Sequence, residues 1–187
     1  MNLGQTMITM GMFVLLVMSV ISANRMLVQN TETGLQTEAL TESATIANDL
    51  FQEIQSQKFD AHVDTSRTNQ AESEFSEPRD GANEWGPSNA ERTLAGSMPD
   101  DNGSGEYRAI LAYDDVDDYN GYTRVINVDS ANGIRIGGFL VTVRVFYVAI
   151  SNSDVAVDYQ TNFKRIEVGV EHAQYLPKVL YSSLMSY

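Results

Sequence analysis

The sequence predicts an α+β fold: a long N-terminal α-helix, apolar in its first half and amphipathic in its second, packed on a small antiparallel β-sheet. Three observations predict it. No side chain is charged before Arg25. No Pro occurs from Asn24 to Gln57, and the only Gly there is Gly34. Beyond Tyr107, runs of alternating polar and apolar residues follow one another with short breaks. The expected organisation is a leader at 1–4, a helix at 5–58, an irregular acidic loop at 59–106 and a sheet at 107–187.

The helix begins with an apolar run of about 17 residues, Met7 to Ala23, close to the shortest stretch that spans a hydrocarbon core. Met7, Phe13, Leu16, Val17, Val20 and Ile21 lie in it. Most of the methionines also fall near the N-terminus, and unbranched Met suits irregular helix–helix or lipid contacts. The pattern does not stop there. Leu27/Val28, Leu35, Ala39/Leu40, Ile46/Ala47, Leu50/Phe51 and Ile54 recur at steps of three, four and seven, which mark one stripe of an amphipathic helix. A helix from Gln5 to Lys58 would be roughly 80 Å long, too long to bury in a domain of this size. Its first half must find lipid or other copies of itself.

From Phe59 to Glu106, Asp, Asn, Ser, Gly, Glu and Pro dominate. That composition reads as a long loop, with Trp85 as the anchor that holds it down. Strands are expected at Tyr122–Val128, at Phe139–Val148 and at Asn162–Glu171, where the alternation slips in phase near Lys164. A last strand is expected at Val179–Leu184. Turns are expected at Ser130-Ala131-Asn132-Gly133 and Ser151-Asn152-Ser153-Asp154. Short connections favour an antiparallel meander, with one face on the amphipathic helix.

Charge and composition exclude several functions. Lys and Arg number 12 against 25 Asp and Glu, a formal charge of -13. A nucleic-acid binder needs a basic face to replace phosphate counterions, so no nucleic-acid partner is expected. The absence of Cys removes disulfides, thiol catalysis and zinc–sulfur sites. No nucleophile elbow, nucleotide-binding Gly loop or His-pair zinc motif is present. His62 and His172 are expected to be exposed polar residues, and no enzymatic activity is expected.

The order of these parts resembles a type IV pilin or pseudopilin. Met1-Asn2-Leu3-Gly4 takes the place of the family's leader, and Gly4-Gln5-Thr6-Met7-Ile8-Thr9 that of its processing motif. The resemblance implies that a prepilin peptidase cuts between Gly4 and Gln5, and that the new N-terminus can be methylated. Tyr113-Asp114-Asp115-Val116-Asp117-Asp118-Tyr119-Asn120-Gly121-Tyr122 is similar to an acidic turn of minor pilins of the mannose-sensitive haemagglutinin type. The strand Phe163-Lys164-Arg165-Ile166-Glu167-Val168, followed by a short strand to the C-terminus, resembles those proteins too. The sequence departs from the family at Gln5, where Phe is usual, and at Thr9, where Glu is usual. A Thr cannot form the Glu's ion pair with a neighbouring amine, but its hydroxyl can bond a helix backbone. The expected role is a structural subunit of a surface filament or secretion pseudopilus. It would wait in the inner membrane, then assemble with copies of itself or related pilins.

Alternatives remain for two features. The apolar segment also fits a signal peptide cleaved after Ser22, or an uncleaved anchor carrying an extracytoplasmic binding module for calcium, glycan or protein. The turn residues Asp114, Asp115, Asp117, Asp118 and Asn120 can ligate calcium as a set of oxygens, or can cap nearby backbone N–H groups as a solvated acidic turn. Asp100–Glu106 is a weaker acidic candidate, expected to be a flexible connection.

Overall fold

The computed structural model describes residues 3–64, 66, 70–78, 85–87, 91, 112–128 and 135–187. Helix α1 runs from Leu3 to Gln55. The strands are β1 (Thr123–Ile126), β2 (Phe139–Ala149), β3 (Asn152–Ala156), β4 (Phe163–His172) and β5 (Leu176–Ser186). The chain divides into two compact units, Met1–Glu38 and Ala39–Tyr187.

The first unit is helical. Its threonine hydroxyls are satisfied within the helix by bonding back to the preceding turn: Thr31 donates to the Leu27 carbonyl at 2.9 Å and Thr33 to Gln29 at 2.9 Å. Every residue from Leu3 to Gly34 is exposed. Met1 and Asn2 of the candidate leader lie outside the described residues, as do the 130–133 turn, the 100–106 stretch and the loop residues Leu94 and Met98.

The second unit has one main core. Ala39, Ser43, Ile46, Ala47, Leu50 and Ile54 recur at three- and four-residue steps and are buried. They meet Phe139, Val141, Val143 and Val145 of β2 and Ile166, Val168 and Val170 of β4. At about 25 cal/mol per Å² of apolar area removed from water, this face supplies the main force that holds the unit together. Polar ties fix the register. Ser43 Oγ and the Tyr181 hydroxyl lie 2.7 Å apart, and Gln55 Nε2 donates to Ser183 Oγ at 2.7 Å. Glu42 accepts from the backbone N–H groups of Arg135 at 2.7 Å and Ile136 at 3.1 Å.

The sheet is antiparallel in the order β1-β2-β4-β5, with β3 folded back on the end of β2. Expectation and structure agree on its class and differ in detail. Helix α1 stops three residues early. The chain is drawn out at Lys58, which bridges to Asp115: Val116 N–H donates to the Lys58 carbonyl at 3.0 Å. Of the residues expected to form a second turn, Ser151 lies in a turn with Ile150, while Asn152, Ser153 and Asp154 open β3, held by Arg165, which reaches the Ser153 carbonyl at 3.0 Å and the Asp154 carboxylate. The last strand is longer than expected because β5 pairs along nearly all of β4.

Candidate functional site

Two features carry chemistry. The first is the N-terminal stretch of α1. Gly4 and Gln5 lie in its first turn and are exposed. Met7 (71 % exposed), Phe13 (66 %), Leu16 (62 %), Val17, Val20 and Ile21 are exposed in the unit to which they belong. The helix is long and apolar enough to cross a membrane, and is compatible with membrane anchoring. Thr9 needs no outside partner: its hydroxyl lies 3.1 Å from the Gln5 carbonyl and 3.0 Å from that of Thr6.

The second is a buried polar cluster in the other unit, centred on Lys164 of β4. Along this strand Lys164, Ile166, Val168 and Val170 share the inward phase and are buried. The expected slip in phase does not occur. Lys164 occupies the inward position, and Phe163 turns to the other face. Its ammonium group is fully buried and well partnered. Nζ donates to the Phe59 carbonyl at 2.7 Å, to Asp60 Oδ2 at 3.0 Å and to Asp117 Oδ1 at 2.6 Å. The rings of Phe59, Trp85 and Tyr147 stand 4.7, 5.0 and 5.1 Å from it, the range of cation–π attraction. Trp85, expected to anchor the loop, packs its ring 4.8 Å from that of Tyr147.

The two carboxylates differ in environment. Asp60 is surrounded by donors: the N–H groups of His62 and Ser76, the Ser76 hydroxyl and the Tyr147 hydroxyl, the last at 3.0 Å. Burial works against its charge, but Lys164 and those N–H groups win, and hold its carboxyl below the usual range. Asp117 goes the other way. Burial raises it more than Lys164 lowers it.

The acidic turn is a set of mutual caps. It makes a 3-10 turn at Asp117–Tyr119. Asp115 Oδ1 accepts from Asp117 N–H at 2.9 Å and Asp118 N–H at 3.2 Å, while Asp118 Oδ2 accepts from Asp114 N–H at 3.0 Å and Asp115 N–H at 3.3 Å. Asn120 Oδ1 accepts from Val145 N–H at 3.1 Å, pinning the turn to β2. Gly121 then takes φ of +82°, a conformation that side chains disfavour, and its N–H reaches the Val143 carbonyl at 3.0 Å. Asp114 pairs with Lys58 at 3.3 Å near the surface. So Asp114, Asp115, Asp117, Asp118 and Asn120, the calcium candidates, each already serve a partner in the chain. Glu91, Asp114 and Asp118 bring one oxygen each within 4.8 Å of one another. A calcium ion takes about six to eight.

The histidines behave unlike each other. His62 is exposed, with Nδ1 3.3 Å from Ser76 Oγ. His172 is half-buried and structural, a correction to its expected exposure. Its Nδ1 accepts from the N–H groups of Gln174 and Tyr175, and Nε2 lies 3.0 Å from the Gly137 carbonyl. It therefore closes the β4–β5 turn with the proton on Nε2.

Sequence reasoning missed the centre of the cluster, Lys164, with Asp60 and Tyr147. The signal was present: a basic residue at the inward phase of an otherwise apolar strand. The described helix and antiparallel sheet are compatible with a pilin-like fold, and comparison with models of known families, with curated proteins and with solved structures finds no match.

Proposed function

We propose that this chain is a structural subunit of a type IV pilus-like surface filament or of a secretion pseudopilus, inserted and assembled through the first half of α1. One observation supports the reading above all. An uncharged helical stretch presents Met7, Phe13, Leu16, Val20 and Ile21 with nothing of its own unit over them. Water is a poor solvent for that surface. Lipid would cover it before assembly, and the same stretch of neighbouring copies afterwards. Burying roughly 1,500 Å² of apolar area would supply tens of kcal/mol of gross driving force, much of it offset by association entropy and lost bilayer contacts. The acidic surface would keep such a filament soluble. A prepilin peptidase cutting after Gly4 would release the subunit from its leader. The role is not enzymatic and involves no nucleic acid.

The test is the N-terminus of the mature protein, read by mass spectrometry on a sheared surface fraction. A chain starting at Gln5, with or without a methyl group, is the expected result. A chain retaining Met1 would favour a monomeric anchored module. A start near Ala23 would remove the assembling helix and overturn the reading.

A further inference from the structure

We propose that Lys164 and Asp117 form an intramolecular isopeptide bond, closed inside the folded domain without any external enzyme. The proposal is independent of whether the chain assembles into filaments. Three features place an amine and a carboxyl where they can condense.

The first is proximity. Lys164 Nζ lies 2.6 Å from Asp117 Oδ1, with the Asp117 carboxyl carbon one bond behind it. Both side chains are essentially inaccessible, at 0 % and 1 % exposure. Groups held at contact in a fixed orientation react as though at enormous concentration, with effective molarities of about 10⁵–10⁸ M. The second is dryness. Phe59, Trp85 and Tyr147 surround the amine with aromatic rings. Amide formation releases water, and a site that excludes water resists the reverse hydrolysis. The third is an additional carboxylate at the same nitrogen. Asp60 Oδ2 is 3.0 Å from Nζ and is oriented by the Tyr147 hydroxyl and by Ser76.

The environments divide the labour. Asp60, saturated with donors and held ionised, is a poor electrophile, and it is the carboxylate beside Nζ that is free to receive a proton from the nitrogen. Asp117 has fewer donors, and Asp115 hydrogen-bonds its carboxyl; burial favours its neutral form, the form that amines attack.

The step balances without a co-reactant. One ammonium proton passes from Nζ to the Asp117 carboxyl, leaving a neutral amine and a neutral acid. The Nζ lone pair attacks Asp117 Cγ and the N–C bond forms. Asp60 accepts a second proton from the nitrogen and delivers it to the Asp117 hydroxyl oxygen. The C–O bond breaks, water leaves, and Asp60 is again a carboxylate. The product joins β4 to the acidic turn ahead of β1.

Intact mass of the full chain in detergent tests this directly. The expected mass is lower by one water than the mass calculated from whichever N-terminus is found. Trypsin digestion of the denatured chain locates the link. An acylated Lys164 is not cut, so peptide 145–165 should appear joined to 109–124. Full mass, with a free peptide 145–164 ending at Lys164, overturns the proposal. So does a link to 59–67, which carries Asp60. Asp60→Asn gives the second readout. The variant should fold, by circular dichroism, with most of its chains unlinked. Linkage as complete as in the wild type would remove Asp60 from the mechanism.

Discussion

From Leu3 to Gly34 apolar side chains stand exposed along α1, while at Lys164 an ammonium group and its carboxylates are wholly buried. Each region inverts the usual rule of apolar inside and charged outside. They differ in where the partner comes from. Lys164 receives every partner from its own chain: a carbonyl, two carboxylates and three rings. Leu16 and its neighbours receive none from the unit they belong to. The first inversion is closed by folding. The second is a demand on the surroundings, which the proposed role meets with lipid or another copy. Substitution in one region should therefore leave the other intact.

The largest effect is expected at the buried cluster. Lys164→Met keeps much of the side-chain volume and removes the amine, so no link to Asp117 can form and both carboxyl groups stay buried without a cation beside them. Breaking a buried pair in this way costs about 3–5 kcal/mol. Thermal denaturation in detergent should show the sheet signal lost at much lower temperature, while the chain still partitions with membranes. Adding Asp60→Asn and Asp117→Asn should recover part of the loss, because no unpaired charge remains. An unchanged melting temperature in Lys164→Met would mean that the cluster contributes nothing to the fold. Next comes Leu16→Asp, the converse experiment. An Asp at the centre of a membrane helix costs about 3 kcal/mol on the insertion scale. Sedimentable filaments should disappear, while a soluble 30–187 fragment still folds. Filaments surviving this change would break the proposed use of the helix.

The contrast also explains what was legible beforehand. The two halves of α1 were readable because helical periodicity records burial directly: Ile46, Leu50 and Ile54 fall on one stripe, whereas Met7 to Ala23 show none. Strands β2 and β4 were readable from alternation. Lys164 breaks the pattern because alternation read by residue type places a lysine on the water face, which produces the expected slip in phase, whereas its side chain lies inward. Its partners sit 104 and 47 residues away in the chain, so no local pattern announces them. Asp117 drew attention for the wrong reason, as one of a run of acids, when its chemistry depends on a cation from another strand. Strand β3 was hidden by its turn-forming residues; Asn152 and Asp154 do make a local bond, from Asp154 N–H to Asn152 Oδ1 at 3.3 Å, inside a paired strand.

A further expected effect is a dependence on pH, which belongs to the folded unit and spares the apolar helix, since the latter carries no charge before Arg25. Burial pushes the Asp118 carboxyl up to about 7, despite its two backbone N–H donors. Burial, with Asp117 and Asp118 alongside, pushes Asp115 up to about 9. Unfolded, both titrate near 3.8. Above that value the folded state holds protons that the unfolded state has lost, so stability falls as pH rises towards 7 and then 9. Where Lys164 keeps its charge, Asp60 acts in the opposite sense. Its lowered value stabilises the fold above 3.8, and that contribution is lost as pH falls through its folded value. The fold should therefore be most stable in mild acid, with a higher melting temperature at about pH 5 than at about pH 8. Asp118→Asn should flatten the first part of the fall, because the amide oxygen can still accept from Asp114 and Asp115 but has no proton to lose. A melting temperature that rises between those two conditions would show that the turn's carboxyls are ionised when folded, held by their N–H caps against the cost of burial.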